Sequence, residues 1–260
     1  MNKITAFAAC AGALLLGQGI LSQPVMSHMG GHDKTLQKTR TLTLDVANMS
    51  ELVIEAGAGS MEVKSADIDH IEVTAKVYQE QAHDNYCLSL SRESHRALLE
   101  SASCRDDRYD NHDTNIELTV RVPQTLALDI RDGSGFIKVD GVAGAKIVDG
   151  SGYIDIRNIS GQVDIRDGSG LITANNIDKN LDITDGSGGI EVRSVAGDLA
   201  ISDGSGSIDV SLVAGEVVIR DGSGSIRVDR AKRFELLSDG SGSVDVSNIS
   251  GEVVMNGHGR

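Results

Sequence analysis

Beyond about residue 50 the chain is a succession of short alternating runs. Residues 149–166 read DGSGYIDIRNISGQVDIR, and residues 203–220 read DGSGSIDVSLVAGEVVIR. Numbered from the Asp, apolar side chains fall at positions 6, 8, 11, 15 and 17, with polar neighbours between the paired ones. A period of two predicts strands with one buried face. In the second copy Ile208 and Val210 make one strand, Val217 and Ile219 the other. Glycine-centred turns separate them, DGSG on one side and NISG, SVAG or LVAG on the other. Recurrent Gly and β-branched residues disfavour helix throughout.

The pattern repeats. DGSG begins at residues 132, 149, 167, 185, 203, 221 and 239, and a fixed period near 20 residues marks a stacked array. One repeat cannot bury its own apolar face, but stacked copies close a continuous core. Like then sits on like: position 6 reads Ile137, Ile154, Ile172, Ile190, Ile208, Ile226, Val244. The expected fold is all-β, a single-stranded parallel β-solenoid (β-helix) with about 18 residues per coil. At the strand spacing of ~4.8 Å, seven coils rise roughly 34 Å. The half-repeats resemble one another, which favours two main sheets per coil. A three-sided hexapeptide helix has the same coil length, but position 5 breaks its six-residue period.

The solenoid domain is expected over 41–260, with DGSG repeats at 132–256. Earlier strands are AGAGSMEV (56–63), IELTVRVP (116–123) and LALDIR (126–131). Between them, 80–115 is polar and off-pattern and reads as a loop or excursion. Two repeats depart from the form. The first is one residue short around GVAGAKIVDGSG, and the sixth puts Arg233 where Gly belongs and Glu235 where an aliphatic belongs. A local register change or bulge is the expected remedy. The last coil ends NGHGR with no capping element, so an unpaired strand edge and end-to-end self-association through it are expectations.

Composition narrows the core and the partners. With 30 Gly, no Trp and three Phe, the interior must be Val, Ile, Leu and Ala. A net charge of −14 argues against nucleic acid and anionic membrane surfaces, which want clustered Lys and Arg. The opening MNK followed by ITAFAACAGALLLGQGIL reads as a secretory signal peptide. Residues 1–27 are signal and leader, cleaved after Ser22 or after Ser27, and 28–40 a flexible linker. A membrane anchor and lipidation at Cys10 are weaker readings, because FAAC is a poor lipidation box and the apolar run continues past it. No later segment is apolar enough to span a bilayer. Export leaves Cys87 and Cys104, an even pair that suggests a disulfide closing 16 residues (88–103).

The conspicuous candidate chemistry is the Asp of each turn: Asp132, Asp149, Asp167, Asp185, Asp203, Asp221 and Asp239. Stacked at coil spacing, ionised neighbours repel by about 1 kcal/mol even in bulk water. The structural answer is an Asx turn, in which the carboxylate accepts a backbone N–H two or three residues on. Gly at positions 2 and 4 permits positive φ, and Arg131, Arg166 and Arg220 give partial charge relief. The alternative is a Ca²⁺ ladder, hence a cation-dependent binding module. Calcium-binding β-rolls, with their GGxGxDxUx repeat, are similar only in part. Where their ligand Asp stands, this chain has Ile154, Ile208 and Ile226. No catalytic grouping and no cofactor motif is found. A mixed polar site could form only around His83, His95 and His112 of the 80–115 segment; SHMGGH (27–32) reads as leader. A carbohydrate-active β-helix enzyme is the third reading, weakened by the lack of Trp and the scarcity of Tyr.

The order of parts carries a resemblance. ELVIEAGAGSMEV, then IEVTAKV, then IELTVRVP, then tandem DGSGxIxVxxVxGxVxI resembles the bacterial DUF4097-type putative-adhesin β-strand repeat proteins, over residues from about 40 to 260. The resemblance implies an exported envelope or surface solenoid. It brings no catalytic residues. The expected function is therefore a non-enzymatic, periplasmic or cell-surface structural or binding scaffold, whose ligand the sequence does not name.

Overall fold

The computed structural model describes residues 34–101 and 114–256. The chain divides into two units, Met1–His32 and Asp33–Arg260, and all that follows concerns the second. The expected signal peptide, Cys10, the SHMGGH leader, Cys104 and His112 lie outside the described residues.

The described residues form strands and turns without a helix. The first seven strands are β1 (Thr35–Asp45), β2 (Glu51–Ala56), β3 (Ala58–Ala66), β4 (His70–Gln79), β5 (Leu88–Glu93), β6 (Arg96–Ser101) and β7 (Asn115–Pro123). The next seven are β8 (Ala127–Arg131), β9 (Ser134–Asp140), β10 (Gly144–Asp149), β11 (Gly152–Ile159), β12 (Val163–Asp167), β13 (Gly170–Ile177) and β14 (Leu181–Asp185). The last six are β15 (Gly188–Val195), β16 (Leu199–Asp203), β17 (Gly206–Asp221), β18 (Gly224–Asp239), β19 (Gly242–Ser247) and β20 (Val253–Met255).

From β8 onward each half-coil pairs in parallel with its counterpart one coil away, residue on residue. Ile154 stands between Ile137 and Ile172, and Ile165 between Ile147 and Ile183. Two sheets result, as the half-repeats imply. One runs β9–β11–β13–β15 into β17, β18 and β19, the other β8–β10–β12–β14–β16 into β17, β18 and β20. The long β17 and β18 bend from one sheet into the other. The position-6, 8, 11, 15 and 17 aliphatics fill the space between the sheets, almost all fully buried. This is the parallel β-solenoid the 18-residue period predicts.

The N-terminal part is rearranged relative to its order in sequence. The β2–β3 coil lies between the β6–β7 coil and the β8–β9 coil. The chain thus enters the stack in the middle, goes out through antiparallel β4 and β5, returns, and passes over its own first coil at Gln124–Leu126. Two expectations change. The 28–40 linker is partly strand, because β1 pairs antiparallel with β4 from Thr35 onward. The 80–115 excursion includes the β5–β6 hairpin, and β6 joins the solenoid through β2 with Ala97, Leu98 and Leu99 buried. The reason is legible afterwards: Leu88-Ser-Leu90-Ser alternates, and Ala97 and Leu99 share one face across a turn at Ser94 (φ 59°).

The irregular repeats are repaired locally. In the first, Val142 aligns with Ile159 by position and Ala145 pairs with Val163, so the missing residue comes out of the turn. In the sixth, Val213 pairs with Ala231 but Glu216 pairs with Arg233, and Ile219 pairs with Leu236 but Arg220 with Ser238. The turn loses one residue and a bulge at Leu237 restores it. Phe234 thereby takes the inward place of the column, fully buried, and Leu237 is pushed out. In the last described coil the inward-phase Val253 and Met255 remain 46% and 47% exposed.

Candidate functional site

Three columns of side chains stand out. The first is the Asp of DGSG. On β12, Val163, Ile165 and Asp167 share one face, so Asp167 points inward with the aliphatics. Asp149, Asp167, Asp185, Asp203, Asp221 and Asp239 are all buried, at 3–7% exposure, and Asp132 is half-buried. The Asx turn is present in part. Asp203 and Asp221 each accept the N–H of the Ser two residues on, Ser205 and Ser223, at 3.2 Å, and Asp149 accepts that of Gly150 at 2.8 Å. Their second oxygens have no partner, and neither has either oxygen of Asp132, Asp167 or Asp185.

The expected charge relief is also absent from this column. Arg131 turns to Glu55 and Asp129, and Arg166 to Asp164. Position 18 faces outward because position 1 faces inward. None of the column members from Asp132 to Asp221 ion-pairs with a described Lys, Arg or His. Loss of hydration, then the charge of a neighbouring Asp, pushes Asp132 up to about 7. Burial likewise raises Asp149, Asp167, Asp185, Asp203 and Asp221 above the usual carboxylate range. From Asp167 onward the preceding Asp adds to the effect, and backbone N–H groups partly oppose it. Among the described residues no three His, Cys, Asp or Glu side chains converge on a point that could hold a metal ion.

Glycine in DGSG has two separate causes. At position 4 the backbone takes φ of 138–151° in Gly188, Gly206, Gly224 and Gly242, a region closed to residues with a side chain. A Cβ on Gly206 would also overlap the carbonyl oxygen of Gly188 in the next coil. At position 2 φ is not positive, contrary to expectation. Gly is required there because a Cβ on Gly204 would overlap the carbonyl of Gly186. The turns are tied across coils by backbone bonds, Gly204 N–H to Asp185 O at 3.1 Å and Gly206 N–H to Ser223 O at 2.9 Å.

The second column is the opposite corner, position 10, where one residue per coil takes a left-handed φ of 55–81°: Gly141, Asn158, Asn176, Ser194, Leu212, Arg230 and Asn248. Asn is suited to that conformation, and here it also stacks. Asn176 Nδ2 donates to Asn158 Oδ1 at 2.9 Å, and Asn158 Nδ2 to Asp140 Oδ1 at 2.8 Å. The third is the node made by the sixth-repeat shift: Arg233 stands between Glu216 and Glu252 of the flanking coils and also pairs with Glu235.

Of the three histidines of the 80–115 segment, His83 and His95 are described, and they stand on different elements. His83 lies at the end of β4 against Gln79, which also donates to Thr114 at 3.0 Å. His95 is in the β5–β6 turn, where its carbonyl accepts from Ser50 N–H at 3.2 Å. Cys87 stands just before β5, and its expected partner Cys104 is outside the described residues. Outward, the position-5 column of the first sheet steps down from Phe136, Tyr153 and Leu171 to Gly189, Ser207, Ser225 and Ser243. The step opens a shallow trough of about 240 Å³ beside Glu191, Asp209, Arg227 and Asp245. Sequence reasoning missed it, since it compared repeats by their shared positions and this column is defined by what differs.

No family model matches the chain, and no curated protein matches it. Solved structures do. A "putative adhesin" from Bacteroides fragilis aligns at 13% identity with a TM-score of 0.45, over 85% of this chain and 98% of that one. A "putative lipid binding protein" from Parabacteroides distasonis aligns at 13% and 0.43, over 84% and 96%. A "putative cell adhesion protein" from Clostridium sporogenes aligns at 8% and 0.34, over 85% and 99%. At these identities and TM-scores, ligand and role do not pass from those proteins to this chain.

Proposed function

We propose that the chain is an exported cell-envelope β-solenoid without enzymatic activity, a DUF4097-type, adhesin-like binding scaffold of the periplasm or cell surface. The observation that supports it is the register of the stack. Each outward position becomes a column running the length of the molecule, and the position-5 column forms a shelf that drops into a serine-lined trough. Phe136 and Tyr153 stack on that shelf with ring centroids 5.1 Å apart. Regular rows at coil spacing suit an extended partner with its own repeat. Catalysis instead needs unlike groups brought to one point.

Fractionation of cells expressing the tagged full chain tests this reading. The expected result is a processed protein in the envelope fraction, its N-terminus at residue 23 or 28, that co-sediments with envelope fragments from the same cells. Unprocessed protein in the cytosol, or processed protein that leaves the fragments in the supernatant, would overturn it.

A further inference from the structure

The buried carboxyls form a single file, one per coil, in register from Asp149 through Asp167, Asp185 and Asp203 to Asp221. Each is more than nine-tenths buried and keeps at least one oxygen without a partner. Along the file the paired neighbour of each Asp in the adjoining coil is another Asp, with Asp132 beside Asp149 at one end and Asp239 paired with Asp221 at the other. On the inward face of the same strands the residues two before each are Ile147, Ile165, Ile183, Ile201 and Ile219, all buried. Arg131 and Arg166, next to Asp132 and Asp167 in sequence, are turned outward to Glu55, Asp129 and Asp164. At the opposite corner the same spacing joins stacked side chains directly, Asn176 Nδ2 donating to Asn158 Oδ1. A carboxylic acid has the same capacity, since its O–H donates and its remaining oxygen accepts, whereas a carboxylate only accepts.

We propose that the Asp file carries its protons into the folded state, each acid hydrogen-bonded along the stack, so that the solenoid is firmest in mild acid and loosens as pH rises. The raised carboxyls set the direction. Between the ordinary carboxylate range and about 7, the value for Asp132, the folded chain binds more protons than the unfolded one. Stability contributed by the file is complete in the acid below the ordinary carboxylate range, falls as pH rises through the raised values of its members, and is level above them. The inference does not depend on what the outer faces bind.

The test is thermal unfolding of the purified mature protein from about pH 4.5 to 8. The expected Tm is higher at the acid end by on the order of 5 °C or more. Asp167→Asn with Asp185→Asn and Asp203→Asn should flatten that slope and raise Tm at pH 8. The exposed triple Asp182→Asn, Asp209→Asn, Asp245→Asn removes the same charge and should keep the slope, which separates the file from general self-repulsion. Infrared spectroscopy of the wild type at pH 6 should show the C=O stretch of protonated carboxyls, even if the interior triple fails to fold. A level or rising Tm across the window, an unchanged slope in the interior triple, or no acid C=O band would overturn the proposal. So would a rise in wild-type Tm at pH 8 with millimolar Ca²⁺ alone, since a cation would then be the neutralising charge.

Discussion

A single residue's place in this solenoid is set by the coil beside it as much as by its own chain. Gly206 and Leu212 show the two directions. A Cβ on Gly206 has neither an allowed φ nor room against Gly188. Gly206→Ala is expected to cost on the order of 3 kcal/mol or more, read as a fall in the denaturant midpoint. Leu212 holds φ 62° at the corner where four of the other six coils use Asn or Gly. Leu212→Asn should stabilise by about 1 kcal/mol, a Tm gain of roughly 2–4 °C; a loss would mean its packing outweighs its backbone strain. Much of this was legible. The phase of Val163, Ile165 and Asp167 already puts Asp167 inward. What concealed it was the rule that charges face water, which the turn overrides by fixing where position 1 points. The left-handed corner was less legible, because Leu212 and Arg230 do not advertise such a backbone.

At the scale of the element, registers are kept and irregularities are moved into turns and bulges. Phe234 is the largest fully buried side chain, and it owes its place to the one-residue shift. Phe234→Ala should cost about 3–5 kcal/mol, in the range for emptying a large core position. Leu237→Ala, at the exposed bulge, should fall within about 0.5 kcal/mol of the parent. Equal losses in the two would contradict the shifted register. The sixth repeat announced a break but not its direction, since a pattern of shared positions cannot say where a compensating residue goes. The β5–β6 hairpin was missed for a related reason. Its strands lie in a long non-repeating segment, and β2, the solenoid partner of β6, comes more than 40 residues earlier. The pairing of Cys87 with Cys104 belongs to this segment as an expectation. Non-reducing peptide mapping of the mature protein should recover the linked peptides, and Cys87→Ser should cost up to about 3 kcal/mol.

At the scale of the whole molecule the stack is quasi-one-dimensional, each coil touching only its neighbours. The period and the fold class followed from the sequence for that reason, whereas the insertion of β2–β3 between later coils did not, because strands of one pattern can stack in more than one order. The same geometry makes the size of a deletion a poor guide to its effect. Removing residues 185–202 joins Thr184 to Asp203 and carries away one complete coil, its DGSG turn included. Every remaining inward position keeps its phase, and the β12 and β14 columns meet the β17 and β18 columns as before, one coil shorter. That variant should fold, with unchanged strand content per residue and a Tm lower by only a few degrees. Removing Glu191 alone takes one residue from the middle of β15. The strand beyond it then slips by one, and period two turns its inward set outward. Val192 and Val195 are both at most 2% exposed. Exposing them would cost roughly 1.5–3 kcal/mol each, unless the strand bulges as it does at Leu237. Thermal unfolding followed by circular dichroism on the two variants decides the matter. If the loss of one strand residue proves milder than the loss of eighteen, coil-to-coil register is not what holds the molecule together.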